Sequence, residues 1–262
     1  MEKDAVIQVG GDLEESLKGN YKINAKSIIG EAWALTQKSR VSINLGILFC
    51  LFLSGLLFFV VASYFGDIKM MAENPQANFA VNILVTLLVS PFLVGIEMMG
   101  IFHAVGLKTH PKTLFAFLSK GSLVAVCALL SSMLISLGLS LFILPGLYLL
   151  VALSLVLPLV VEKGFTPFKA ITISLKVTRF QWLSIFTVYA VLFVGLVFAF
   201  MPFILLAGSS VQLIGGMFFF FAMSYLAPLF YNVKGILYRE IFGMKIAVKA
   251  GDKPADDNIF SA

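Results

Sequence analysis

The sequence predicts an all-α protein: a polytopic transmembrane helical bundle of about six spans, with amphipathic helices on its cytoplasmic surface. Three observations lead there. Of the 262 residues 60% are hydrophobic and 13% charged, a balance that no water-soluble globule of this size can bury in one core. The charges are segregated, leaving uncharged runs from Val41 to Gly66, Asn74 to Ile96, Gly121 to Val161 and Phe180 to Val233. A hydrocarbon layer about 30 Å thick takes roughly 20 apolar residues per helix, so each of the last two runs is long enough for two spans.

The first span is expected from about Val41 to Phe65. The second runs from about Phe79 to His103 and contains Pro91 and Gly95, which neighbouring helices can accommodate by resatisfying the backbone; a kink near Pro91 is expected. Near the middle of the third run sits Leu144-Pro145-Gly146. Proline cannot continue a helix and glycine readily turns, so Pro145 and Gly146 are read as the structural turn of a tight hairpin between spans three and four. The last run is split by Met201-Pro202 and by Ala207-Gly208-Ser209-Ser210, which ends a fifth span near Leu206 and places a sixth from Val211 to Asn232.

This membrane domain, 24–249, is expected between disordered cytoplasmic extensions at 1–23 and 250–262. The first 40 residues are polar and carry both charge signs, unlike a removable signal peptide, so the first span is expected to act as its own insertion signal. Orientation follows from the cations. Taken loop by loop, alternate segments hold eighteen Lys and Arg on one side and one, Lys69, on the other. The positive-inside rule then puts the termini and the two basic loops in the cytoplasm.

Three interfacial helices are expected, near 25–40, 167–180 and 236–249. In the first, capped by Asn24 or Ser27, the residues Ile28, Ile29, Ala32, Trp33, Leu35 and Thr36 share a face. The second opens on Thr166-Pro167 and aligns Lys169, Thr172, Lys176 and Arg179 in a basic stripe. In the third, Leu237, Ile241, Met244 and Val248 form a narrow apolar stripe. Lys169, Lys176 and Arg179 are candidate contacts for anionic headgroups, with simple satisfaction of topology as the alternative reading.

Glu97 is the one formal charge inside an expected span, where an acidic side chain costs about 2.5–3.5 kcal/mol on insertion scales. It is a candidate intramembrane polar site, either in proton or substrate handling or in a structural ion pair near the interface. His103 and His110 have no Cys or second carboxylate to complete a ligand set, and Cys50 and Cys127 sit in apolar runs, so no metal, disulfide or cofactor is expected. Nucleophile elbows, zincin motifs and phosphate-cradling glycine loops are absent from the sequence. Gly95, Gly100, Gly121, Gly138 and Gly215-Gly216 read as helix-packing positions. Despite a pI of about 9.1, the basic residues follow membrane topology, which argues against nucleic acid as a partner.

From Pro91 to Phe186 the order of motifs is distinctive: Pro91-Phe92-Leu93-Val94-Gly95, then Thr113-Leu114-Phe115-Ala116-Phe117, Leu144-Pro145-Gly146-Leu147-Tyr148, Leu155 through Gly164, and Pro167-Phe168-Lys169-Ala170 through Thr178. This order resembles the YciC-type bacterial inner-membrane proteins and the related membrane domain fused to some glycerophosphodiester phosphodiesterases. The resemblance implies a six-helix inner-membrane module and supplies no catalytic residues. Where fused members carry a soluble hydrolase domain this chain has a short tail, so hydrolase activity is not expected. The resulting expectation is a non-enzymatic membrane module that binds anionic lipid headgroups, a membrane-protein partner or a second copy of itself. The alternative is a small transporter or channel using Glu97 in a polar path.

Overall fold

The computed structural model describes residues 5–64 and 73–248. Lys69, Lys249 and the 250–262 tail lie outside the described residues. Six helical segments are long and apolar enough to cross a membrane: Ala25–Tyr64, Pro75–Ala104, Pro111–Leu141, Ile143–Glu162, Trp182–Leu205 and Gln212–Phe242. The chain is thus an all-α, multi-pass membrane protein. In order, its elements are β1 (Ala5–Val9), α1 (Leu13–Lys18), α2 (Ala25–Tyr64), α3 (Pro75–Ala104), two 3-10 turns (Pro111–Phe115 and Leu118–Lys120), α4 (Gly121–Leu141), α5 (Ile143–Leu153), α6 (Val156–Glu162), α7 (Pro167–Thr178), α8 (Trp182–Leu205), α9 (Gln212–Phe242) and β2 (Met244–Val248).

Local chemistry sets these boundaries. The Asn24 carboxamide accepts from the Ser27 amide at 3.2 Å and caps α2, after which no proline interrupts the chain. The interfacial helix and the first span are therefore one 40-residue helix. Asn74 caps α3 in the same way, accepting from the amides of Gln76 and Ala77, and α3 continues through Pro91. The third reversal is displaced from its expected place. Phe142, at φ −153° and ψ 139°, separates α4 from α5, while Pro145 and Gly146 lie in the first turn of α5. Proline is tolerated there because first-turn amides have no intrahelical acceptor. Gly146 serves contact instead: a Cβ on it would meet the Leu139 backbone at 2.6 Å. The fourth span is itself broken at Ser154-Leu155, between α5 and α6. Pro158 explains the break, since it cannot donate to the Ser154 carbonyl and its ring would clash with it.

The chain divides into two units. The first comprises Met1–Asn44, Met99–Thr109 and Lys176–Ala262; the second comprises Leu45–Met98 and His110–Leu175. In the first unit, two expectations are corrected. Within the segment read as disordered, 1–23, lie β1 and α1, and the helix expected over 236–249 ends at Phe242. Gly243, at φ 58° and ψ 167°, adopts a conformation open essentially to glycine alone, and Met244–Val248 then runs as β2. It pairs antiparallel with β1, Ile7 opposite Ile246 and Val9 opposite Met244. The apolar spacing of Leu237, Ile241, Met244 and Val248 fits a helix, but its continuity depends on a glycine that turns out of it.

The N-terminal segment is ordered because it satisfies the end of α9, whose last carbonyls have no intrahelical donor. The amides of Gly11 and Gly243 donate to the Arg239 carbonyl at 2.8 and 3.0 Å, and Ser16 Oγ donates to the Ile241 carbonyl at 2.6 Å. Helix α1 is built for this position, with Asp12 Oδ1 capping its first amides at 2.8 and 3.2 Å and Gly19 closing it at φ 86°. The Glu15 carboxyl is held below the usual range by hydrogen bonds from Asn20 and Lys18.

The second unit is held by rings and close backbones. Phe49, Phe92 and Phe115 form a triad with centroids 5.2, 5.3 and 5.8 Å apart. Leu114 lies against Gly95, where a Cβ would meet its carbonyl oxygen at 2.6 Å. Gly138 and Gly146 bring α4 and α5 together, with a Cβ on Gly138 falling 3.1 Å from the Gly146 Cα. Lys120 Nζ reaches the Val161 carbonyl at the end of α6, at 2.6 Å.

Candidate functional site

The face of α7 is divided as its sequence suggests. Ala170, Ile171, Ser174, Val177 and Thr178 are buried, while Phe168, Lys169, Thr172 and Lys176 are exposed. Ser174 Oγ donates to the Ala152 carbonyl, and the Tyr148 hydroxyl donates to the Leu175 carbonyl at 2.8 Å. The buried side of α7 is thus fixed by hydrogen bonds as well as packing. Lys169 Nζ sits 4.3 Å from the centre of the Phe165 ring. Arg179 lies one residue beyond the helix, exposed, with its guanidinium 4.6 Å from the Phe180 ring centre. The helix end receives a donor from the N-terminal segment: the Tyr21 hydroxyl bonds the Val177 carbonyl at 2.9 Å.

Glu97 is buried, with 7% of its surface exposed, on α3. His103 and His110 part company. His103 is buried, whereas His110 is exposed before the first 3-10 turn. Among the described residues, no three His, Cys, Asp or Glu side chains gather as metal ligands do.

The polar centre that the sequence does not announce surrounds His103 in the first unit. Gly100 and Gly235 create it by letting α3 and α9 cross almost backbone to backbone: a Cβ on either would meet a carbonyl oxygen of the other helix at 2.1 Å. This crossing places Asn232 Oδ1 2.9 Å from His103 Nδ1. Asn232 Nδ2 donates to Thr36 Oγ1 on α2 at 2.9 Å. On the other side of the ring, Thr109 Oγ1 lies 2.6 Å from His103 Nε2 and 2.9 Å from Ser42 Oγ. With the Asn232 amide nitrogen on Thr36, its oxygen must accept from Nδ1–H, and Nε2 accepts from the Thr109 hydroxyl. The neutral imidazole is then satisfied at both nitrogens. Nδ1 has no lone pair left for Ser39, whose Oγ lies 3.1 Å away and donates to the Leu35 carbonyl at 2.7 Å. The arrangement joins α2, α3 and α9 without a net charge.

Two helical turns further along α9 from Asn232, Arg239 gathers a second set. Its guanidinium contacts both carboxylate oxygens of Glu31 at 2.5 and 2.9 Å, Glu240 at 2.7 Å and the Ala104 carbonyl at 2.6 Å. The planar fork of arginine is suited to this bidentate geometry. A third set lies between the same part of α2 and the middle of α9. Tyr225 stacks on Trp33 with centroids 6.0 Å apart and 27° between planes, and Arg40 lies 4.0 Å over the same ring. Asn44 Nδ2 donates to the Ser224 carbonyl at 2.9 Å. That carbonyl is the one Pro228 leaves without its helical donor, so Asn44 replaces the missing amide.

Comparison of the chain with protein-family models, with curated proteins and with solved structures returns no match.

Proposed function

We propose that the chain is a non-enzymatic module of the bacterial inner membrane, with both termini in the cytoplasm, that holds anionic phospholipid headgroups or a membrane partner at a basic surface. The observation that carries this reading is α7, whose buried side is hydrogen-bonded while Lys169 and Lys176 are exposed beside Phe168. Cations above apolar side chains are the arrangement that recognises an anionic membrane surface, each worth about 1 kcal/mol there. The eighteen-to-one division of Lys and Arg between alternate segments supports the cytoplasmic assignment. Pairing of β1 with β2 supports placing both ends on one side. The motif order from Pro91 to Phe186 supports the YciC-type kinship.

Native mass spectrometry of the gently purified chain tests the reading. A specific phospholipid should co-purify, and the combined Lys169→Gln, Lys176→Gln and Arg179→Gln variant should release most of it. Equal retention by both forms would leave α7 as a topology signal alone.

A second reading, a small transporter or channel, draws on Glu97, a carboxyl buried within a membrane-length helix, since such groups mark ion and proton paths. A proton flux in proteoliposomes that Glu97→Gln abolishes would favour it; no flux above empty vesicles would remove it.

A further inference from the structure

We propose that Arg40, Tyr225 and Trp33 form a second binding site, in which the arginine fork receives the phosphodiester group of an anionic phospholipid. The inference rests on the lipid-binding reading above and assigns it a separate place and chemistry. Arg40 is the last charged residue before the uncharged run that opens at Val41, the level at which a snorkelling cation meets phosphate. Arg40 is half-buried, and its guanidinium carbon lies over Tyr225, 4.0 Å from the ring centre. A cation–π contact uses none of the group's hydrogen-bonding capacity: its N–H donors lie in one plane, and it has no acceptor of its own.

Those donors have no acceptor among the described residues, and the same holds for the Trp33 indole N–H and the Tyr225 hydroxyl. Arg239, by contrast, spends its fork on Glu31 and Glu240. Three kinds of unused donor around one tyrosine call for an oxyanion ligand with several acceptor atoms, and phosphate offers that geometry. The arrangement is built in advance: Tyr225 packs against both Trp33 and Arg40, and Asn44, one turn beyond Arg40, ties α2 to the Ser224 carbonyl. Beside it are apolar side chains for an acyl chain. Val41 is 68% exposed, and Phe221, whose ring lies 5.5 Å from Tyr225, is 65% exposed. Those exposed side chains favour a lipid over a free anion as the source of the phosphate.

The test is retention of phosphatidylglycerol by the full chain in native mass spectrometry. Wild type is compared with Arg40→Gln, with Arg40→Lys, and with the triple variant of α7. Arg40→Gln should weaken retention roughly tenfold, the scale of a charge-assisted pair. Arg40→Lys keeps the charge and the stem, guards against a folding artefact, and should still lose most of the binding because it lacks the planar fork. Wild-type retention by either Arg40 variant overturns the site, and if the α7 variant meanwhile releases lipid, the broader reading survives without it. Loss in neither the Arg40 nor the α7 variants overturns both. Inorganic phosphate in millimolar excess should not displace the lipid; displacement would overturn the phospholipid assignment.

Discussion

In the unit that contains both termini, four polar side chains are bonded in a chain: Thr36 to Asn232, Asn232 to His103, His103 to Thr109. In the other unit the hydroxyl of Ser90 is buried without a hydrogen-bond partner in the structure, and the interior is aliphatic, with Val94, Ile96, Val124, Val151 and Leu159 buried. The contrast bears on how helices associate in lipid. Without a hydrophobic driving force between spans, association must come from close backbone approach, as at Gly138 and Gly146, or from interhelical hydrogen bonds, as at Asn232. The terminal unit uses both, because the crossing at Gly100 and Gly235 is what brings Asn232 to His103.

That dependence gives the largest expected effect. Gly235→Ala forces a Cβ to within 2.1 Å of the Gly100 carbonyl oxygen, and separating the backbones should cost on the order of 3 kcal/mol while breaking the network. Gly30→Ala is the control: nothing lies within 4 Å of its Cβ position, so replacing a helical glycine should be neutral or stabilise by about 0.5–1 kcal/mol. Denaturant-induced unfolding in detergent micelles, followed by circular dichroism, reads both.

Next in size, Asn232→Leu should destabilise by about 1–2 kcal/mol, leaving His103 and Thr36 without their partner. His103→Leu added to it should then cost less than His103→Leu alone. Additive losses in that cycle would show that the two side chains act independently. The smallest effect concerns the proline in α9. Asn44→Ala should cost about 1 kcal/mol by orphaning the Ser224 carbonyl. In a Pro228→Ala background, where an amide returns to that carbonyl, the same change should cost measurably less.

The spans were legible because hydropathy needs no partner. A run such as Phe180 to Val233 declares its length, and Gly208 declares its division, from the residues themselves; Pro202, expected to mark the division too, lies inside α8. The hairpin tip was misplaced by three residues because Pro145 marks where a helix can begin as well as where one must stop. The terminal strands could not be read, since Ala5 pairs with Val248 and each five-residue segment, nearly the whole chain away from its partner, is too short to specify a sheet alone. The polar centre was hidden for the same reason. Thr36, His103 and Asn232 each look incidental in their own helices, and only the crossing made possible by two glycines assembles them. Glu97 and α7 are legible in the sequence because charge inside or beside a span is a local property.

The orientation underlies both lipid-binding proposals and can be measured directly. In a Cys50→Ala, Cys127→Ala background, single cysteines at Phe142, Thr166 and Ser210 should be labelled in intact cells by a membrane-impermeant maleimide at Phe142→Cys and Ser210→Cys only, with Thr166→Cys reacting once the membrane is opened. Labelling of Thr166→Cys from outside, with Phe142→Cys and Ser210→Cys protected, would invert the protein and place the basic face of α7 away from the cytoplasmic leaflet.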